Sequence, residues 1–238
     1  MWRGAHDSWH SLQREMGTGW ACVYMLHRAL QASSGGHARI VPYALFAQPV
    51  GSPALAAVRD DAATQVVPTT PQAPWLDQFP RPHSVIAARF ANAHECFSVL
   101  VKGEFAGYAW IAQGRYEEDE VRCEYVIADP TSGVWDFDVF VAPRFRLGRT
   151  MARLWKAVDA ALSARRVSWS FSRISRFNSV SISSHQRLGA VCVGHAVFIA
   201  FGALQFAFLT QAPFMQVSLK GRPRVRLICP MASPHPRC

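Results

Sequence analysis

Hydrophobic residues recur at helical spacing in the second half of this chain, between stretches with strand-like composition. One apolar helix face is formed by Met151, Leu154, Trp155, Val158 and Leu162. Runs rich in β-branched and aromatic residues at 134–142, 167–174 and 191–201 predict strands. A second helix is predicted at 179–188, with Asn178 at its N-cap and Gly189 just beyond its end. This alternation of strands and helices indicates an α/β domain.

The first half of the chain predicts a more irregular mixture. Residues 7–32 have helical periodicity that is interrupted at 16–19, and 96–101, 106–112 and 121–128 predict strands. Residues 39–50 also favour a strand, which Pro42 is expected to restrict to a sheet edge or a bulge. The proline-rich stretch 51–82 has few periodic features and predicts mostly loop.

The longest uncharged stretch, 196–213, is too short and too polar to favour a membrane span. A transmembrane helix needs about 20 mainly apolar residues. This stretch contains Gly202, Gln205, Gln211 and Pro213 and is rich in phenylalanine. It predicts two buried strands that meet near Gly202.

Composition favours a globular protein with a phosphate-bearing ligand. Half of the residues are hydrophobic and 17% are charged, so a sizeable core can form. The formal net charge is +9, yet no run of five basic residues occurs, which disfavours nucleic acid as a partner. The six cysteines include no CxxC pair, so the sequence predicts no metal site and reduced thiols in a cytoplasmic protein.

The segment "PRFRLGRT" at 143–150 leads from a predicted strand into the helix of the first paragraph. The first amide groups of a helix have no partner within it, and together with the helix dipole they form an anion site. Arg144, Arg146 and Arg149 add positive charge, and Gly148 allows close approach of a ligand. A diphosphate would suit this turn, although ordinary helix capping explains many such turns.

Two motifs together resemble the GNAT superfamily of acyl-CoA N-acyltransferases. "VAPRFRLGRTMARLW" matches the family's V-x-P and following glycine loop at Val141, Pro143 and Gly148, but Phe145 and Thr150 depart from the pattern. "NSVSISSHQRLGAV" matches the later helix of the family at Asn178 and Gly189. The resemblance covers about 96–219, with specific motifs only between 139 and 189.

The resemblance implies a GNAT-like fold and an acyl-CoA site. The expected architecture is a central mixed, mostly antiparallel sheet with helices on both faces and a splayed strand pair that holds acetyl-CoA or another acyl-CoA. The diphosphate is expected on the backbone amides of Arg146, Leu147, Gly148, Arg149 and Thr150. The pantetheine arm is expected along the backbone of Val139, Phe140 and Val141, with Asn178 completing the cofactor set.

Three side chains are candidates for the chemistry. His185 stands where the family often has a tyrosine that protonates the leaving thiolate, and a histidine could exchange protons there. Asp136 and Asp138 lie in an apolar strand, where unpaired carboxylates would be costly, and the family often places its base on this strand. The alternatives are a surface histidine without a role and aspartates paired with arginines.

These expectations amount to an N-acyltransferase that moves an acyl group, which the resemblance implies to be acetyl, to a primary amine of a small molecule or peptide. The alternative is an inactive GNAT-like binding or scaffold protein, with peripheral membrane contact in envelope assembly. Residues 1–35 are expected to form a helical extension, 36–220 the acyltransferase domain and 221–238 a basic, proline-containing tail. The sequence does not indicate an oligomeric state.

Overall fold

The computed structural model describes residues 9–118 and 120–230. Its helices are α1 (Trp9–Met16), α2 (Thr18–Ser33), α3 (Pro53–Ala56), α4 (His83–Ala91), α5 (Thr150–Ala164) and α6 (Ser179–Arg187). Its strands are β1 (Ala38–Pro49), β2 (Thr64–Thr69), β3 (Glu95–Val101), β4 (Glu104–Gln113), β5 (Arg115–Glu117), β6 (Glu124–Ile127), β7 (Gly133–Val141), β8 (Trp169–Ser175), β9 (Val191–Phe201), β10 (Leu204–Leu209), β11 (Met215–Ser218) and β12 (Arg224–Leu227). The interruption of the first helical stretch is confirmed.

The chain divides into two compact units, each assembled from separate parts of the sequence. Unit 1 contains the residues up to Phe46 together with Glu117–Tyr125 and Arg173–Arg226. Unit 2 contains Ala47–Tyr116, Val126–Ser172 and the residues from Leu227 onward. Three short strands form a small sheet in the order β12-β6-β5.

Unit 2 contains a mixed sheet with the strand order β8-β7-β4-β3-β2. The pairs β2/β3, β3/β4 and β4/β7 are antiparallel, and only β7/β8 is parallel. Helix α5 packs on β2, β3 and β4 through its apolar face, where Leu154 and Val158 are fully buried. Burial of such a face supplies most of a helix's stability. The mixed, mostly antiparallel sheet of the sequence analysis is confirmed.

Unit 1 contains the strand order β11-β10-β9-β1-β8, where β8 contributes its last residues. Strands β9 and β10 are antiparallel and meet at a tight turn in which Gly202 has φ 56°. Positive φ is accessible to glycine without steric penalty. The two strands that meet near Gly202 are therefore confirmed, but the prediction that they are buried was wrong for one face, where Phe201 and Phe208 are 48% and 40% exposed. Among the described residues, no helix has both the length and the apolar character that crossing a membrane requires.

Pro42 does not confine β1 to a sheet edge, so this prediction was wrong. Strand β1 lies between β9 and β8, and ten of its twelve residues are buried. The carbonyl of Pro42 accepts the amide N–H of Arg176 at 2.9 Å, just beyond the last residue of β8. The backbone N and O atoms of a strand residue point to the same neighbouring strand. The nitrogen of Pro42, which has no hydrogen to donate, therefore faces the residue beyond the end of β8, so no hydrogen bond between the two strands is lost.

Strand β2 was also missed in the stretch predicted to be mostly loop. It pairs with β3 in regular register from Thr64↔Val101 to Thr69↔Cys96 and includes Pro68. As the last strand of the order in unit 2, β2 has one side without a neighbouring strand in the described part of the chain. A proline at an edge strand costs no hydrogen bond when its nitrogen faces outward.

Gly107 marks a close approach of β4 to β7. A Cβ at this position would lie 2.3 Å from the carbonyl oxygen of Phe140 and 3.1 Å from Cα of Val141, both backbone atoms. Backbone cannot rotate away as the end of a side chain can. The pairing of these two strands therefore depends on the absence of a side chain at residue 107.

We expect Gly107→Ala to destabilise the fold by about 2 kcal/mol or more, because one strand must shift to relieve the overlap. Gly148→Ala is the matched control, since its Cβ would meet its nearest neighbour, the carbonyl oxygen of Phe145, only at 3.7 Å. The free energy of unfolding of that variant should stay within about 0.5 kcal/mol of the parent. Denaturant unfolding followed by circular dichroism measures both, and equal effects would contradict the strand contact.

Candidate active site

Strand β7 contains a bulge at Asp138, whose φ of 45° lies in the left-handed region. The register with β4 runs Tyr108↔Phe140 and then Trp110↔Phe137, so β7 has one residue more than β4 between these pairs. Aspartate is one of the few residues other than glycine that adopt this conformation with any frequency. A bulge bends its strand and increases the local twist.

Three side chains hold the carboxylate of Asp138 in this bulge. Arg81 donates through both Nε, at 2.8 Å, and Nη2, Arg89 donates through Nη1, and the hydroxyl of Tyr108 donates at 3.1 Å. Burial alone would raise the pKa of Asp138, but the hydrogen bonds and charges of the two arginines outweigh it, so the pKa lies below its ordinary value. A carboxylate held in this way is a poor proton acceptor.

Strands β7 and β8 pair over only three positions. The parallel register runs from Gly133↔Trp169 to Trp135↔Phe171, whereas β7 continues to Val141. The bulge at Asp138 lies within this further part of β7. In unit 2, β7 therefore continues beyond the end of its pairing with β8 and has an unpaired edge there. A splayed strand pair requires this local geometry.

In the part of β7 beyond its pairing with β8, some backbone groups point toward β4 and others point toward the opposite edge. The carbonyl of Phe140 points at Gly107 of β4, and the amide of Ala142 donates to Ala106 of β4 at 2.8 Å. Because strand residues alternate, the amides of Val139 and Val141 face the opposite edge. The carbonyl of Val141 there accepts Nε of Arg146 at 2.9 Å.

Asp136 is a buried carboxylic acid at the position where the β7/β8 pairing ends. It is 4% exposed, and its Oδ2 accepts the hydroxyl of Ser170 at 2.7 Å. Burial raises the pKa of Asp136 to about 7, although the hydrogen bond from Ser170 lowers it. Asp136 therefore exchanges its proton near neutral pH, in contrast to Asp138.

Ser172 was not predicted to belong to the site. It follows Phe171, the last paired residue of β8, and shares a strand face with Ser170. Its side chain is 5% exposed, yet its Oγ has no hydrogen-bond partner among the described residues. Buried hydroxyls nearly always have a partner, so this atom has capacity for a water or a ligand atom. The only sequence signal was the alternation of serines in "VSWSFSRI".

The arginine-rich turn between β7 and α5 leaves several amide groups available. Arg149 at the N-cap gives no side-chain hydrogen bond to the helix. No acceptor in the described chain takes the amide N–H of Thr150 or of the next two residues of α5, nor those of Leu147 and Arg149. The amides of Arg146 and Gly148 instead donate within the turn, at 3.3 and 3.4 Å.

The three arginines of the turn differ in their availability. Arg144 forms an ion pair with Glu104 at 2.9 Å, and Arg146 is hydrogen-bonded to Val141. Arg149 is exposed and has neither type of partner within the part of the chain that the structure describes. Leu147 is fully exposed, so side chains do not close this turn. The turn is thus an open cluster of amides with one unpaired cation.

Asn178 and His185 lie in unit 1, on helix α6. Asn178 caps the helix as predicted, because its Oδ1 accepts the amide N–H of Ser181 at 3.0 Å. Nδ1 of His185 lies 2.8 Å from the carbonyl oxygen of Ser181, so Nδ1 carries the hydrogen. Burial lowers the pKa of His185, whose ring lies 6.5 Å from that of Phe46. His185 is therefore a neutral, half-buried side chain.

Comparison with known proteins shows similarity of fold only. No family model and no curated protein matches this sequence. A conserved protein of unknown function from Staphylococcus epidermidis superposes with a TM-score of 0.50 and 11% identity, over 75% of this chain and 67% of that one. A tandem GNAT protein from the clavulanic acid pathway gives a TM-score of 0.49 and 14% identity, over 72% and 57%.

A third solved structure, described as an acetyltransferase of the GNAT family from Novosphingobium aromaticivorans, gives a TM-score of 0.46 and 18% identity, over 67% of this chain and 63% of that one. The chain thus spans less than two thirds of both GNAT proteins. In this chain itself, the mixed sheet, the parallel pair that parts and the turn that leads into α5 form a GNAT-like fold, as the sequence predicted.

The raised pKa of Asp136 predicts how stability depends on pH. Because the folded protein holds a proton that the unfolded carboxyl, with a pKa of about 3.9, has lost, stability should fall as pH rises from about 4 to about 7. Asp136→Asn removes this dependence. We expect the free energy of unfolding of the variant to exceed that of the parent by about 2–3 kcal/mol more at pH 8 than at pH 5.

Urea unfolding at a series of pH values measures this difference. Three histidines with lowered pKa values, His27, His185 and His195, contribute a rise of stability with pH over part of this window. They are present in both proteins, so the difference between the two curves isolates Asp136. Parallel curves would mean that Asp136 is not protonated in the folded protein near neutral pH.

Proposed function

We propose that this protein is an acyl-CoA-dependent N-acyltransferase, which moves an acyl group such as acetyl to a primary amine of a small molecule or peptide. One observation carries the proposal. In unit 2, the strand edge that leaves β8 is followed directly by a turn whose amides have no acceptor in the described chain. An acyl-CoA has the complementary chemistry, since an amide-containing arm leads to a diphosphate.

The pantetheine arm would pair with the outward edge of β7. The amides of Val139 and Val141 face that edge, whereas the backbone of Phe140 belongs to the pairing with β4. We therefore assign the arm to the two valines and remove Phe140 from the set of contacts. A strand edge provides hydrogen bonds that need no particular side chain, which suits a sequence with degenerate motifs.

The diphosphate would bind at the start of α5. The amides of Leu147, Arg149 and Thr150 are the available donors among the five residues predicted from the sequence. The guanidinium of Arg149 adds a charge that no acid of the described chain neutralises. Amides at a helix start attract anions through both hydrogen bonds and the helix dipole. The amides of Arg146 and Gly148 support the turn itself.

Asp136 is the proton acceptor in this proposal. A carboxylate with a pKa of about 7 accepts protons at neutral pH more readily than an ordinary aspartate. Because Asp136 is almost fully buried, the amine proton would reach it through a water bound at Ser172. As the amine loses its proton to this water, the water passes one to Asp136, so that the nitrogen lone pair is free to attack.

The acyl transfer then exchanges one bond for another. The amine nitrogen bonds to the thioester carbon, the carbon–sulfur bond breaks, and coenzyme A leaves as a thiolate whose conjugate thiol has a pKa of about 8.5. The proton that the nitrogen still carries after the attack passes through water to the thiolate, so that a neutral amide and a neutral thiol result. We propose that His185 does not supply this proton, because its lowered pKa leaves the imidazole without a second proton to donate near neutral pH, and that His185 instead packs α6 beside Phe46.

A second candidate is a GNAT-like binding protein without catalysis. It is favoured by Asp138, which the two arginines hold as a carboxylate, and by the neutral state of His185. These leave Asp136 as the single candidate for proton transfer. Release of free thiol from acetyl-CoA in the presence of a panel of amines separates the two functions, because a binding protein would bind the thioester without consuming it.

Binding of acetyl-CoA by titration calorimetry tests the anion site. Gly148→Glu should weaken binding roughly ten- to hundredfold, because a carboxylate would stand among amides that are meant for phosphate. The fold should survive, since residue 148 has no positive φ and an added Cβ would make only ordinary contacts, at 3.7 Å or more. Gly221→Glu is the matched control, being an exposed glycine with no neighbour within 4 Å of an added Cβ, and should bind as the parent does.

Two outcomes of this titration would count against the proposal. Absence of binding to the parent protein would remove the acyl-CoA assignment altogether. Equal affinity of Gly148→Glu and the parent would place the diphosphate elsewhere.

The dependence of turnover on pH tests Asp136 and Ser172. The rate should rise with pH through about 7 and fall roughly hundredfold in Asp136→Asn. Ser170→Ala should move the midpoint upward, because the hydrogen bond that lowers the pKa of Asp136 is lost. Ser172→Ala should lower the rate about tenfold and leave the midpoint unchanged. A normal rate in both Asp136→Asn and Ser172→Ala would refute the proton path.

A further inference from the structure

Where β9, β10 and β11 pair in unit 1, eight neighbouring positions on one face carry only apolar side chains, and the polar side chain of His195 borders them on β9. Residues that pair directly across antiparallel strands project to the same face. The register therefore joins three rows on this face, namely Val197–Phe208–Met215, Ile199–Phe206–Val217 and Phe201–Leu204. No charged or polar side chain interrupts these eight positions.

The same face is open to solvent. None of the eight side chains is fully buried, and Met215 and Val217 are 59% and 54% exposed. On the opposite face the alternate residues of β9 and β10, among them Phe198 and Ala207, are buried in unit 1. One face of the sheet thus packs in the core, and the other, equally apolar, is exposed to solvent. The solvent-exposed face of an antiparallel sheet normally carries polar residues.

Strand β11 adds an edge to this face. It is the terminal strand of the order in unit 1, so its outer side has no pairing strand in the described part of the chain. Proteins usually protect such edges with charges, prolines or bulges. The four residues of β11, Met-Gln-Val-Ser, contain none of these, and the apolar alternation continues to Leu219, which is 62% exposed.

The size of the patch matches half of a small protein interface. Large apolar side chains present about 150–250 Å² each, so the exposed fractions on this face amount to roughly 500–600 Å². Isolated monomers rarely expose a larger apolar patch than this. Two such faces together would bury roughly 1,000–1,200 Å², which clears the roughly 1,000 Å² expected of a biological interface and corresponds to a weak dimer.

Charges near the face disfavour an anionic membrane as the occupant. A lipid surface needs cations that are free to meet headgroups. Arg222 forms an ion pair with Glu117 at 3.2 Å, and Arg224 with Glu124 at 2.6 Å. Arg122 donates to the backbone carbonyls of Leu219 and Ala203. These three arginines are therefore already engaged.

We propose that this face binds the same face of a second copy of this chain, with the two copies related by a two-fold axis. An uncharged apolar face is complementary to itself, and an isologous interface requires self-complementarity. The edge of β11 would lie at this interface, where a second β11 can approach it. The proposal is independent of the acyl-transfer reaction.

Sedimentation velocity over a wide range of protein concentration tests the proposal. The parent protein should form a dimer, and Val217→Lys should weaken self-association roughly thirtyfold or more, because a buried ammonium in an apolar interface has no counter-charge. Val217 is half-exposed, so this change should leave the folded subunit intact. Ile228→Lys is the matched control, a 65% exposed apolar residue outside the sheet, and should associate as the parent does.

Thermal unfolding at low protein concentration verifies that both variants are folded, and Phe208→Lys provides a second disruption of the same face. A parent protein that stays monomeric at every concentration overturns the proposal, and so does a dimer that tolerates both Val217→Lys and Phe208→Lys. Co-sedimentation with vesicles of phosphatidylserine and phosphatidylcholine tests the alternative, in which this face binds a lipid surface. A monomer whose co-sedimentation with these vesicles depends on Val217 would identify a lipid-binding face instead.

Discussion

The ion cluster at Asp138 is the interaction on which the candidate site depends. A left-handed aspartate in the middle of a strand is strained, and it persists here because Arg81, Arg89 and Tyr108 bind its carboxylate. The resulting bulge twists β7 in the same region where its pairing with β8 has ended. Removing one partner of such a buried cluster leaves an uncompensated charge, so the shape of the strand edge and the stability of the cluster are linked.

Asp136 and Asp138 are two residues apart, yet their environments give them opposite properties. Asp138 is surrounded by donors and remains charged, whereas Asp136 has a single hydroxyl partner and holds a proton until about pH 7. In the sequence the two aspartates are equivalent candidates, since both alternate with aromatic residues. Their positions in the strand do not distinguish the two carboxyl groups. The side chains that reach each carboxyl from other strands and helices do.

Local patterns predicted the parts of the fold that local interactions determine. The apolar face of α5 and the cap formed by Asn178 could be recognised because helix periodicity and capping operate over a few residues. Pro42 was misjudged because its cost depends on where another strand ends, and β2 was missed because an edge strand tolerates Pro68. Arg81 and Arg89 lie about fifty residues from Asp138, and no spacing rule connects them. The absence of a hydrogen-bond partner for Oγ of Ser172 within the described residues is likewise visible only in three dimensions.

The buried proton of Asp136 couples folding and ligand binding to the buffer. Near neutral pH the folded chain takes up a fraction of a proton that the unfolded chain does not hold, so heats of folding will include the ionisation enthalpy of whichever buffer supplies it. A cationic ligand close to this carboxyl would expel the proton, and an anionic one would retain it. The number of protons exchanged on binding thus reports the sign of charge that a ligand brings near residue 136, even before that ligand has been identified.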